Sequence, residues 1–106
     1  MISEKRVEMA VEFIRDHAER LGQLVGHCKA LEQTRKVVRG QEFLNAKGTV
    51  AEREAVAESS MPFKDVVNDI QNAWAEKSTL EIQIKAAELT IEVWRSQYSK
   101  QGKGHL

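Results

Sequence analysis

His27 beside Cys28 is the pair in this chain whose side chains could most readily take a metal ion. Neighbours on a helix point about 100° apart, and no second His/Cys pair supplies the other corners of a tetrahedral site, so no metal is expected. Cys28 reads instead as a small apolar core residue. His17 falls on the apolar side among Ala10, Leu24 and Leu31, where a satisfied interface histidine fits better than a base or a ligand. The sequence has no glycine-rich phosphate loop, no activated-serine context and no carboxylate pair that spacing singles out. The expectation is a protein that is not an enzyme and takes no cofactor.

Charge offers a second chemistry. The 106 residues carry 16 Lys+Arg against 16 Asp+Glu, so no bulk field draws the chain to nucleic acid or membrane. Locally the balance is uneven. Between Lys29 and Lys47 stand five basic residues (Lys29, Arg35, Lys36, Arg39, Lys47) against Glu32 and Glu42, a balance of +3. Between Glu54 and Glu92 stand eight acidic residues against Lys64, Lys77 and Lys85, a balance of −5. In a hairpin these segments face each other in part, and most of the charge would set register through surface pairs that each contribute little. The alternative is that Arg35, Lys36 and Arg39, with Arg95, Lys100 and Lys103, contact a partner's phosphates, although no stacking aromatics are interleaved with them. Trp94 with Arg95, Gln97 and Tyr98 reads first as an anchor of the hairpin's open end against the first helix, and second as an aromatic and arginine cluster of the kind found at binding hot spots.

The elements that position these residues are helices. Ala, Glu, Lys, Gln, Arg and Leu abound, aromatics make up 6% of the chain, and Pro62 is the single proline. After Ser3, a candidate N-cap, apolar residues from Val7 to Val38 recur every three or four positions, which predicts a helix over about 3–45. At 1.5 Å per residue that rod is about 60 Å long and needs a partner helix to be stable. Gly40 is a candidate kink and Gly48 a C-terminal stop. Thr49-Val50-Ala51-Glu52 has the form of a capping box and opens a short helix over about 50–58. Ser60 ahead of Pro62 reads as the N-cap of a last helix over about 61–99. Its apolar face is read as Phe63, Val66, Val67, Ile70, Ala73, Trp74, Leu80, Ile84, Ala87, Ile91, Trp94 and Tyr98. Residues 100–106 are expected to be a flexible polar tail. The predicted fold is all-α: a single domain made of a long antiparallel, coiled-coil-like helical hairpin with a short connecting helix.

A second apolar stripe, Ile82, Ala86, Leu89 and Val93, lies away from that face. A two-helix hairpin covers one stripe, so the extra one predicts a homo-oligomer in which the C-terminal helices meet. It would be structural only if the first helix, with Met9 and Phe13, wrapped far enough to cover both. Gly22 and Gly26 form a G-x-x-x-G that would let another helix approach closely. No apolar run approaches the roughly 18 residues of a membrane span, one cysteine cannot make an intrachain disulfide, and no secretory signal pattern opens the chain. The expected location is the cytoplasm.

Two stretches, Gly48-Thr49-Val50-Ala51-Glu52-Arg53-Glu54-Ala55 and Ile91-Glu92-Val93-Trp94-Arg95-Ser96-Gln97, resemble small helical proteins of unknown function from bacteriophages and prophages, often encoded near recombination genes. The resemblance implies a viral protein in the cytoplasm of a host cell, with an accessory or inhibitory role in phage DNA metabolism or counter-defence. Its partners would be itself and a host or phage protein. Direct binding of single-stranded nucleic acid in recombination is the alternative, and the resemblance implies no catalytic residues. Such relatives often end in an arginine-rich tail, where this chain reads Tyr98-Ser99-Lys100-Gln101-Gly102-Lys103-Gly104-His105-Leu106.

Overall fold

A computed structural model of the chain describes the backbone of residues 1–104 and the side chains of residues 1–100. Among the described residues there are three helices and no strand: α1 (Glu4–Asn45), α2 (Val50–Ser59) and α3 (Met61–Gly104). The fold is all-α, as the composition and the spacing predict. α1 runs unbroken through Gly40, which is exposed. α3 keeps helical backbone to Gly104 rather than stopping near Ser99, since no residue between Tyr98 and Gln101 opposes a helix. Among the described residues no helix is long and apolar enough to cross a membrane.

Local chemistry sets the boundaries. The Arg6 N–H donates to Ser3 Oγ at 3.2 Å, so Ser3 caps α1. Gly48 turns the chain out of α1 with φ +117°, a conformation that L side chains rarely adopt. Thr49 then caps α2, accepting the Glu52 N–H at 3.2 Å. The return bond of this capping box differs from the usual one: the Thr49 hydroxyl donates to Glu52 Oε1 at 3.3 Å, so the carboxylate closes on the hydroxyl rather than on the Thr49 amide. Ser60 serves two helices at once. Its N–H and hydroxyl both reach the Ala57 carbonyl at the end of α2, while its Oγ accepts the Phe63 N–H at the start of α3.

A Cβ added to Gly48 would run into the Glu52 carboxylate, with Glu52 Cδ at 3.1 Å. Gly48→Ala is therefore expected to cost about 2 kcal/mol, from backbone strain and a disturbed cap. Urea unfolding followed by circular dichroism measures it, and a change below a few tenths of a kcal/mol would contradict the account.

Two compact units divide the chain. The first joins Met1–Gly22 to Ser78–Leu106, and the second is Gln23–Lys77. In the first, Ala10 and Leu80 are buried, with Val7, Ile14, Leu21, Ile84, Ala87, Ile91 and Trp94 half-buried around them. The Ile2 N–H donates to Gln97 Oε1 at 2.9 Å, tying the start of the chain to late α3. In the second, Leu24, Cys28, Ala46, Ala57, Val66 and Ala73 are buried. There Arg39 and Phe43 of α1 meet Glu58 and Arg53 of α2, while Val25 and Cys28 share a small cleft with Trp74 and Lys77. In the second unit the earlier Val25 and Cys28 of α1 meet Trp74 and Lys77 of α3, and the later Arg39 meets Glu58 of α2.

Burial follows a stricter rhythm than hydrophobicity does. On α3 the inward positions step Val66, Ile70, Ala73, Lys77, Leu80, Ile84, Ala87, Ile91 and Trp94, alternating fours and threes as a coiled-coil seam requires. Trp74 and Tyr98, assigned to the apolar face by the sequence reading, are corrected by this register: they are 45% and 62% exposed. Trp74 stands one residue past Ala73, about 100° round the helix, and Lys77 Nζ lies 4.1 Å from its ring centroid. Tyr98 stacks on Trp94 at 5.4 Å while Gln97 takes the inward bond to Ile2.

Candidate protein interaction site

Each residue of the second stripe stands two positions after a seam residue: Ile82 after Leu80, Ala86 after Ile84, Leu89 after Ala87, Val93 after Ile91. Two residues turn an α-helix by about 200°, so the stripe occupies the side of α3 opposite the seam. α1 does not cover it. Ile82, Leu89 and Val93 are 69%, 50% and 44% exposed, and Ala86 is exposed as well. Met9, which would have to reach round to shield the stripe, is itself exposed, and Phe13 is occupied by stacking on the His17 ring at 4.0 Å. His17 is satisfied within α1, its Nδ1 donating to the Phe13 carbonyl at 2.8 Å.

The basic residues are placed less favourably for phosphates. Arg39 directs both Nε (3.2 Å) and Nη2 (3.0 Å) to Glu58 Oε1. Arg35 occupies a half-buried seam position, with Nη2 3.5 Å from Glu32 and a buried Nε that has no hydrogen-bond partner. Lys36 is exposed. Arg95 and Lys100 are exposed beside Glu92, lining two shallow depressions on α3, and Trp94 is half-buried. The Lys103 side chain lies outside the described residues. The structure thus gathers Trp94, Arg95 and Lys100 at one end of the first unit. Arg35, Lys36 and Arg39 belong to the second unit, where two of the three guanidinium or ammonium groups already face carboxylates.

Sequence reasoning did not anticipate Arg53 lying 5.7 Å over the Phe43 ring, or Lys77 over Trp74. The second of these had a local signal, since aromatic and cation are three residues apart on a helix. Among the described residues no group of three or more His, Cys, Asp or Glu side chains could hold a metal ion.

The G-x-x-x-G face is open: an added Cβ at Gly22 or Gly26 meets nothing within 4 Å. Gly22→Ala and Gly26→Ala are each expected to raise stability by about 0.5–1 kcal/mol through helix propensity alone. Thermal unfolding checks this, and a loss of stability at either position would reveal a close-packed neighbour there.

No family model, curated protein or solved structure matches the chain.

Proposed function

We propose that this chain is a non-enzymatic interaction protein that self-associates through the outer face of α3 and presents the rest of its surface to a protein partner. The observation that carries this reading is the exposed stripe of Ile82, Ala86, Leu89 and Val93 on the side of α3 away from α1. A run of large apolar side chains left in water on one helix face marks an interaction surface. The setting we assign is a phage-encoded protein in the host cytoplasm, acting as an accessory or inhibitor in phage DNA metabolism or counter-defence. It rests on the two stretches described above, which fall on the Gly48 turn with the start of α2 and on α3 around Val93 and Trp94. A protein ranks ahead of nucleic acid as the partner, because phosphates at Arg35 and Arg39 would have to displace Glu32 and Glu58.

Light scattering across a concentration series tests self-association. A mass of twice 12.0 kDa or more supports it, and 12.0 kDa throughout removes it. For the partner, a tagged pull-down from phage-infected cells is run with and without nuclease. A protein retained after nuclease treatment supports the adaptor or inhibitor reading. Material lost with nuclease, together with single-stranded DNA binding that falls steeply with salt, would replace it by direct nucleic-acid binding.

A further inference from the structure

We infer that the outer face of α3 pairs with the same face of a second copy in antiparallel orientation, with Ala86 of each copy opposite Leu89 of the other. The inference rests on the self-association proposed above and adds its occupant, direction and register.

The stripe has a flank on either side, and the two flanks differ in charge. One carries Lys85 and Glu92, the other Gln83 and Thr90. In an antiparallel helix pair related by a two-fold axis each flank faces its own copy, whereas in a parallel pair it faces the opposite flank. Place the axis midway between Ala86 and Leu89, and Lys85 falls opposite Glu92 of the second copy, twice by symmetry. Gln83 falls opposite Thr90, so the uncharged flank meets itself as well. A parallel pair would set Lys85 and Glu92 against uncharged Thr90 and Gln97, with no ion pair on either flank.

Side-chain size selects the same register. The small Ala86 receives the large Leu89, and Ile82 meets Val93, so every apolar layer is filled; a parallel pair would stack Ala86 on Ala86 and leave a gap. Thr79 then falls opposite Ser96 and closes both ends of the apolar stretch with hydroxyls, over a length of about 25 Å. All of these residues belong to one compact unit.

Thr79→Cys and Ser96→Cys leave the apolar layers intact, and Cys28 is buried, so the wild-type chain serves as the unreactive control. Mixing the two variants with a short bis-maleimide should give a cross-linked dimer, while each variant alone should not, because its two cysteines lie about 25 Å apart. Charge reversal supplies the second arm. Lys85→Glu and Glu92→Lys should each weaken the dimer about tenfold, and the double variant should recover to within about threefold of wild type. Circular dichroism checks that helicity is retained throughout. Cross-linking of either variant with itself would establish a parallel pair and overturn this inference while leaving self-association standing. Failure of the double variant to recover would overturn the register. A wild-type chain that scatters as 12.0 kDa at every concentration would instead remove the self-association on which both stand.

Discussion

Leu24→Ala is expected to lower the unfolding free energy by about 3 kcal/mol, a large share of the roughly 5–15 kcal/mol that holds a domain of this size folded. Leu24 is 2% exposed and is the largest fully buried side chain among the described residues. The rest of the buried set is small: Ala10, Ala46, Ala57 and Ala73, with Cys28, Val66 and Leu80. Cores built on alanine bring helices close but supply little apolar area per residue, so Leu24 and Leu80 carry an outsized part of the burial. Partial collapse of the surroundings into the space keeps the cost below the top of the usual range. Urea unfolding followed by circular dichroism gives the value, with Val25→Ala as a half-buried comparison expected at about 1 kcal/mol. A loss below 1 kcal/mol for Leu24→Ala would mean that the second unit is held by something other than this seam.

That core also explains what could be read in advance. Helix ends were legible because their causes are local: Ser3, Thr49 and Ser60 each cap through a side chain that reaches no further than three residues. Gly48 announced the turn for the same reason, as the one described residue with φ in the left-handed region. The inward face of α3 was legible only in part. Apolar character alone ranks Trp74 above Ala73, yet the seam repeats in fours and threes and takes Ala73, leaving the indole at the surface under Lys77. Polar residues at seam positions concealed that rhythm further: His17, Arg35 and Lys77 are all half-buried there. The Arg39–Glu58 pair spans 19 residues and depends on how α2 lies on the end of α1, which no local pattern encodes. For the candidate surface the sequence supplied the positions, since a two-residue offset from the seam is a matter of counting. Whether α1 would wrap round to cover them depended on where Met9 and Phe13 point, which no spacing encodes.

The same two-residue offset makes the largest effect on assembly separable from the effect on folding. Leu89→Glu with Val93→Glu is expected to reduce the mass in solution to that of one chain while leaving the helical signal and the unfolding midpoint nearly unchanged. In a two-fold dimer each substitution occurs twice, so four carboxylates would enter a face that otherwise buries aliphatic groups. An ionised carboxylate without a partner in such a layer costs several kcal/mol, more than a short helix–helix contact can supply. In the single chain those positions are 50% and 44% exposed, and glutamate is a good helix former, so the fold itself loses little. Ile91→Glu is the contrast. It lies between the two on the same helix but faces the seam, half-buried, and there the carboxylate should reduce helicity and stability before it alters assembly. Light scattering and circular dichroism on the three proteins decide the matter. An unchanged mass for the double variant would show that this face is not the interface, and a collapse of its helicity would show that the stripe supports the fold rather than a partner.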